Sequence, residues 1–120
     1  MVKVDSVTLD ATAQIVAIPG NSPPHAGAQY VMLNLSASYT GGGSSTLDQY
    51  GDTLQTIGVH GFAYRRCYEE LPPPVLVPYA TVYSGQSIAG NVCYEIASND
   101  ADTLMLYYDG YPRKLWFALR

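Results

Sequence analysis

Glycine and proline recur so often along this chain that they leave little room for a long helix. The sequence contains 11 Gly and 8 Pro, and few stretches of helical length escape both. Each disfavours a helix interior, because glycine adds backbone freedom and proline removes an amide donor. We therefore expect no helix and predict short strands joined by turns. The 11 Tyr agree, since tyrosine is enriched in strands.

Two segments alternate apolar and polar side chains with the period of a half-buried strand. In residues 30–39 the apolar face carries Val31, Leu33, Leu35, Ala37 and Tyr39. In residues 86–96 it carries Ile88, Val92, Tyr94 and Ile96. Gly90 falls on that same face, where it indicates either a bulge or the close approach of another segment.

Weaker patterns predict further strands. Residues 2–9, with an extension toward residue 18, are rich in Val, Thr and Ile. Residues 53–59 and 62–66 resemble the arms of a hairpin, as do 104–108 and 113–119. Short strands at 75–77 and 80–83 are separated by a proline, which is typical of a sheet edge. Residues 41–45 and 98–102 are expected to be loops.

The strand count and the chain length together limit the fold. Seven or eight short strands with turns between them predict an all-β sandwich or barrel. A length of 120 residues is close to the usual size of one domain, so we assign residues 1–120 to a single domain.

Charge and hydropathy exclude some function classes. The net charge is −4 and the six basic residues are scattered, whereas a nucleic-acid surface needs clustered Lys and Arg, so we expect no nucleic-acid partner. No apolar run is long enough to span a bilayer. The first residues, MVKVD, lack the apolar core of a signal peptide. The sequence therefore predicts a cytosolic protein, or one whose signal or anchor segment is absent from this chain.

Four segments resemble strands of a known family. They are residues 30–35 (YVMLNL), 84–96 (SGQSIAGNVCYEI), 104–107 (LMLY) and 115–120 (LWFALR). Over residues 28–120 the chain resembles the immunoglobulin-like domain of unknown function of small secreted proteins and lipoproteins of Gram-positive bacteria. The secreted immunogenic antigen of mycobacteria has the same fold. Two features depart from the family: Ala97 replaces a frequent proline, and no lipobox cysteine precedes the domain.

The resemblance implies an antiparallel immunoglobulin-like sandwich and export across the membrane, with a lipid or cell-wall tether upstream. It implies no catalytic residue. The expected location is extracellular or at the cell surface.

Cys67 and Cys93 are the only cysteines, and an even number in a small exported domain favours a disulfide. Strand alternation places Cys93 on the less apolar face, and the only tryptophan follows both cysteines. The predicted bridge is therefore a peripheral staple, unlike the core-crossing bridge of antibody domains. The alternative is a pair of buried thiols in a cytosolic protein.

No residue pattern favours catalysis, a metal or a cofactor. His25 lies in a proline-rich loop and His60 at a turn, with no nucleophile motif. Asn99, Asp100 and Asp102 lack the spacing of a calcium loop. We expect no enzyme, no metal and no cofactor. A cleft joining either histidine to a carboxylate of raised pKa would favour an enzyme instead.

Aromatic side chains mark the candidate interface. Tyr107, Tyr108, Tyr111 and Trp116 crowd the C-terminal hairpin, and alternation allows Tyr108 and Trp116 to share an outward face. Such residues are enriched in binding hot spots, although tyrosine also covers sheet surfaces that bind nothing. The function predicted is binding to a protein or cell-envelope component, or to a second copy. The alternative is a structural subunit of a surface assembly, pairing through exposed sheet edges.

Overall fold

The computed structural model describes residues 2–47, 54–60, 63–64, 66–77, 80–110 and 113–119. The strands there are β1 (Val2–Thr8), β2 (Ala28–Ser38), β3 (Ser44–Leu47), β4 (Leu54–Ile57), β5 (Ala63–Tyr64), β6 (Ala80–Tyr83), β7 (Ser87–Ala97), β8 (Met105–Gly110) and β9 (Arg113–Ala118). One short helix, α1 (Thr12–Val16), follows β1, and a 3₁₀ helix (Ser98–Thr103) joins β7 to β8.

The strands form antiparallel sheets, which confirms the all-β sandwich. One sheet has the order β1-β2-β7 and another the order β5-β4-β8-β9, while β3 and β6 pair separately. The main core contains residues of both larger sheets. Its fully buried members include Val31, Leu33 and Leu35 of β2, Val92 and Tyr94 of β7, Leu54 of β4 and Leu106 of β8.

The two strongest sequence patterns correspond to the two longest strands, β2 and β7. They pair without interruption from Ala28 opposite Ala97 to Ser38 opposite Ser87. Alternation places their apolar residues on the core side, as predicted. The predicted hairpins are also present, since β4 pairs with β5 and β8 pairs with β9.

Residues 66–77 cover the edge of β7 that β2 leaves open, and we call them the covering segment. The Cys67 amide donates to the Cys93 carbonyl at 2.8 Å, and the Asn91 amide donates to the Pro74 carbonyl at 2.8 Å. The close approach predicted at Gly90 is confirmed, because a Cβ there would lie 2.3 Å from the Leu76 nitrogen.

The edge of β1 is protected from pairing with another chain in a different way. Its register with β2 shifts between Val4 and Ser6, as in a bulge. Lys3 and Asp5 flank Val4 and form an ion pair at 3.5 Å. Bulges and charges both discourage an edge strand from pairing with another chain.

Four predictions about local structure are wrong. The chain turns into α1 after β1, because burial of Ile15 and Ala11 beneath the covering segment outweighs the weak helix propensity of five residues. The flexible connection predicted at 41–45 ends early, since Ser44 already pairs with Tyr83. The short strand predicted at 75–77 is a single bridge between Val75 and Asn91. The predicted loop at 98–102 is instead a 3₁₀ helix with a buried aspartate.

Candidate functional site

The outer side of the four-stranded sheet carries two rows of uncharged side chains. Gln55 of β4 lies opposite Tyr107 of β8, and Ile57 lies opposite Met105. All four side chains are half-buried, whereas the alternate residues Leu54, Thr56, Leu104 and Leu106 are buried in the core. The exposed Ala63 of β5 pairs with Ile57 and extends the second row. We call Gln55, Ile57, Ala63, Met105 and Tyr107 the uncharged face.

The register continues both rows into β9. Trp116 pairs with Tyr107 and Ala118 pairs with Met105. Two positions beyond Tyr107, Asp109 of β8 pairs with Lys114 of β9. An antiparallel sheet normally presents polar residues to solvent. The outward-facing Ile57, Met105 and Tyr107 therefore distinguish this side of the sheet.

The opposite sheet shows the usual polar outer side where it is open. Lys3, Ser36, Ala37, Ser38 and Ser87 line a depression of about 240 Å³. Farther along β2 and β7 the outer side is covered by α1 and the covering segment. The two outer sides of the sandwich therefore differ in chemistry.

The predicted aromatic interface lies partly within the described residues. Tyr107 is half-buried on the uncharged face. Tyr108 and Trp116 are placed by their backbone alone, and Tyr111 lies outside the described residues. The register contradicts the shared outward face predicted for Tyr108 and Trp116, because Trp116 is opposite Tyr107 and Tyr108 is opposite Leu115. The prediction of an interface at these four residues stays a prediction.

The two cysteines meet as expected. Cys67 and Cys93 form a disulfide with Cα atoms 5.4 Å apart. The bridge lies on the side of β7 away from the main core, as predicted, but it is not solvent-facing. Ala11, Ile15, Tyr30 and Leu71 bury it in a smaller apolar cluster, which we call the second core. The sequence missed this cluster because its members come from four separate segments.

Polar contacts fix the loop that borders the second core. The Asn21 amide nitrogen donates to the carbonyls of Ile15 and Glu70, and its oxygen accepts from the Glu70 amide at 2.9 Å. The Tyr30 hydroxyl donates to the Ser22 carbonyl at 2.9 Å. Burial, with the nearby charges of Glu69 and Glu95, raises the pKa of Tyr30 to about 12, so this hydroxyl stays a donor.

Asp100 is the buried carboxylate of a second polar cluster. It is fully buried at the 3₁₀ helix and accepts from the Tyr64 hydroxyl at 2.6 Å, from the His60 amide at 3.3 Å and from His60 Nδ1. Burial opposes its ionisation, but the hydrogen bonds from Tyr64 and His60 outweigh burial and lower the pKa of Asp100. A Cβ at Gly58 would lie 2.3 Å from the Asp100 Cγ, so glycine makes room for the carboxylate.

His25 also meets a carboxylate that is distant in sequence. Its backbone amide and its Nδ1 both contact Glu95 Oε1, at 2.7 and 2.9 Å. The imidazole is 91% exposed. Sequence reasoning missed Glu95 and Asp100 as histidine partners because each lies 40 or more positions away. The His25–Glu95 pair joins a loop to the end of β7. The His60–Asp100 pair joins a turn to the 3₁₀ helix that follows β7.

Within the described ranges, no three His, Cys, Asp or Glu side chains come together in a way that would hold a metal ion. None of the helices in this part of the chain has the length and apolar character needed to cross a bilayer.

The chain shares its fold with MPT63, a secreted protein of Mycobacterium tuberculosis. The TM-score is 0.63 at 16% identity, over 98% of this chain and 80% of MPT63. A Bacillus subtilis protein named as a lipoprotein, ycdA, gives 0.64 at 14% identity over 97% of this chain. The chain spans 34% of the length of that protein. At these identities the likeness concerns the fold. No protein-family model matches the sequence, and no curated protein matches it.

Proposed function

We propose that the chain is a non-catalytic binding module that works outside the cytoplasm, as part of a secreted or cell-surface bacterial protein. Its partner is a protein or a component of the cell envelope. The resemblance to the immunoglobulin-like domains of Gram-positive secreted proteins and lipoproteins belongs to this proposal. The fold shared with MPT63 supports it.

The uncharged face carries the binding part of the proposal. Ile57, Met105 and Tyr107 retain partial exposure on the outer side of a sheet whose inner side already has a full core. When a partner covers apolar side chains on an outer side, the free energy of the complex falls, because apolar surface is removed from water. Tyrosine adds a large, rigid contact area that orders at little entropic cost.

The two histidines hold a loop and a turn in place through carboxylates. A general base needs a free ring nitrogen aimed at a nucleophile, and a carboxylic acid that donates protons needs a raised pKa. The pKa of Asp100 is lowered instead. Within the described residues, the hydrogen-bond partner of each imidazole is a carboxylate rather than a serine, threonine or cysteine. Asp100 thus ties the β4–β5 turn to the 3₁₀ helix.

The buried disulfide supports the location. Disulfides persist in oxidising compartments and are rare in the cytosol. Cys93 has no exposed surface and Cys67 is 8% exposed, so a reductant has poor access to the bridge once the domain is folded.

The alternative, a structural subunit that pairs through its sheet edges, receives less support. The covering segment already occupies one edge of β7, and the bulge and ion pair of β1 discourage pairing there. Among the described strands, β3, β5, β6 and β9 also stand at sheet edges.

Binding to the producing cell tests the proposal. Labelled protein should bind the isolated cell envelope saturably, and Tyr107→Ala should reduce this binding. Tyr83→Ala is the matched control, because Tyr83 is 58% exposed on β6 and outside the uncharged face. Equal binding by both variants and the parent would overturn the assignment of this face.

Mass spectrometry of protein from its native source tests the location. The expected mass is two protons lower than that of the reduced chain, without alkylation of either cysteine. Two alkylatable thiols in the native protein would place it in a reducing compartment and contradict the proposal.

A further inference from the structure

We propose that the exposed side of the covering segment, residues 68–75, is a second binding surface that docks into an apolar cleft of another protein, with basic residues at the border of that cleft. The inference goes beyond the proposed function, because none of these residues belongs to the uncharged face. Three observations carry it: a concentration of exposed apolar side chains, a backbone fixed at several points, and an excess of negative charge.

Exposed apolar side chains are concentrated in the covering segment. Among the residues whose side chains the structure describes, six large apolar side chains are exposed, and three of these, Tyr68, Val75 and Val77, lie in this one segment. Tyr68 is 82% exposed, so the contacts that it makes leave most of its ring in water. Pro73 and Pro74 are exposed as well. A segment that served only to seal the edge of β7 would gain stability by burying these side chains.

The exposed residues lie close together because the chain leaves β7 and soon returns to it. The Cys67 amide donates to the Cys93 carbonyl, and the Asn91 amide donates to the Pro74 carbonyl. Two residues of a strand span about 7 Å. Residues 68–73 therefore form a compact loop whose ends are neighbours, as in an Ω-loop.

Contacts with the rest of the domain hold this loop in one conformation. The disulfide fixes Cys67, and the Asn21 side chain binds both the amide and the carbonyl of Glu70, at 2.9 and 2.7 Å. The Pro72 carbonyl accepts from the Asn91 side-chain amide at 2.8 Å. Two further prolines follow Pro72 and restrict the backbone as well. A loop that is ordered before binding loses little entropy when a partner engages it.

The charge of the segment indicates the chemistry of the partner. Glu69 and Glu70 follow Tyr68 directly, and Glu70 is exposed. The only basic residue of the covering segment, Arg66, is 6% exposed and donates to the Leu76 carbonyl. The outer side of the segment therefore presents negative charge. A cleft that encloses the Tyr68 ring is complementary to this surface when Lys or Arg lies at its border.

The same charge argues against other occupants. An anionic lipid surface or an anionic polymer would be repelled by the glutamates and by the net charge of −4. A second copy of this chain would bring an equal negative net charge. A basic protein cleft is the occupant that both the apolar and the charged side chains favour.

Photo-crosslinking tests the inference. Tyr68 is replaced by p-benzoylphenylalanine, an aromatic amino acid that forms covalent adducts on irradiation, and the protein is mixed with the envelope and secreted proteins of the producing cell. We expect one discrete protein adduct, identified by mass spectrometry. The same amino acid in place of Tyr83, which is 58% exposed on β6, is the matched control and should not form that adduct.

Affinity is then measured with the purified partner. Tyr68→Ala should weaken binding about tenfold or more, since truncated aromatic hot spots cost that much, and Tyr83→Ala should bind like the parent. Glu70→Gln should remove part of the salt dependence of association. Tyr68 and Glu70 are both exposed, so these variants should fold, and thermal unfolding identifies any that does not.

Absence of a protein adduct at position 68, or the same adducts at positions 68 and 83, would overturn the inference. So would a purified partner that binds Tyr68→Ala as tightly as the parent. An adduct between two copies of this chain would overturn it in favour of self-association. All of these variants keep Tyr107, so envelope binding that depends on Tyr107 would support the proposed function even if the second surface failed.

Discussion

At the scale of single residues, two buried polar side chains hold neighbouring segments together through hydrogen bonds. Asn91 donates its side-chain amide to the Pro72 carbonyl at 2.8 Å and accepts from the Asn34 amide at 2.9 Å. It thereby links β2, β7 and the covering segment. Asp100 does the same at the other polar cluster, where it joins the β4–β5 turn to the 3₁₀ helix. Buried polar groups of this kind are stabilising only while their hydrogen bonds are complete.

Replacing Asp100 with asparagine should remove part of the acid sensitivity of the fold. The folded pKa of Asp100 lies below its ordinary value of 3.8. Ionised Asp100 therefore stabilises the fold above about pH 4, and this contribution is lost as the pH falls through the lowered pKa. Asp100→Asn should cost about 2 kcal/mol at neutral pH, the scale of hydrogen bonds to a charged group.

Urea unfolding from about pH 7 down to about pH 3 would measure both effects. The variant should lose less stability than the parent over that range. Asp102→Asn is the control, since Asp102 is exposed on the same 3₁₀ helix. Parallel pH profiles for the parent and Asp100→Asn would contradict the prediction.

Replacing Gly90 with alanine should displace the covering segment. The added Cβ would lie 2.3 Å from the Leu76 nitrogen and 2.6 Å from the Val75 carbonyl carbon, and backbone cannot move aside as a flexible side chain can. Overpacking of this kind costs about 1–3 kcal/mol. Gly42→Ala is the matched control, because no atom lies within 4 Å of its Cβ position. Denaturant midpoints would compare the two, and equal values would refute the close contact.

At the scale of elements, the two long strands and the two hairpins were predictable, whereas some of the shortest elements were not. β2 and β7 repeat the alternation over 11 residues each, enough for the pattern to exceed chance. By contrast, α1 has only five residues, which are too few to show a helical period. It forms because it buries Ile15 in the second core. Residues 75–77 have the sequence pattern of a strand, yet the prolines before them limit their backbone pairing with β7 to one bridge.

The covering segment should depend on the disulfide. The bridge closes a loop of 26 residues, which corresponds to about 3.5 kcal/mol in the chain-entropy account. Replacing both cysteines with alanine should lower the free energy of unfolding by about that amount. Hydrogen exchange should quicken first at the Cys67 and Leu76 amides, which donate to β7.

The core amides of β2 provide the internal comparison for that experiment. Val31 and Leu33 are fully buried in the main core, so their protection should fall only with global stability. A uniform loss of protection in both regions would show that the bridge supports the whole fold rather than the covering segment.

At the scale of the whole molecule, the sequence predicted the sandwich but not the difference between its two outer sides. Alternation shows which residues of one strand share a side. It does not show which residues of different strands become neighbours, because that depends on register. Alternation within each strand allowed Trp116 to share a face with Tyr108, whereas the register pairs it with Tyr107. The sequence also did not predict the carboxylate partners of His25 and His60, because each lies 40 or more positions away.

The guarded edge of β1 has a consequence for crowded surfaces. Because the bulge and the Lys3–Asp5 pair discourage strand pairing at β1, copies held side by side would not merge their sheets through that edge. Linked copies that engage one polymer bind more tightly than a single copy by factors of about 10²–10⁴. If the proposed binding function holds, a site too weak to retain a ligand alone would retain it when many copies are displayed together.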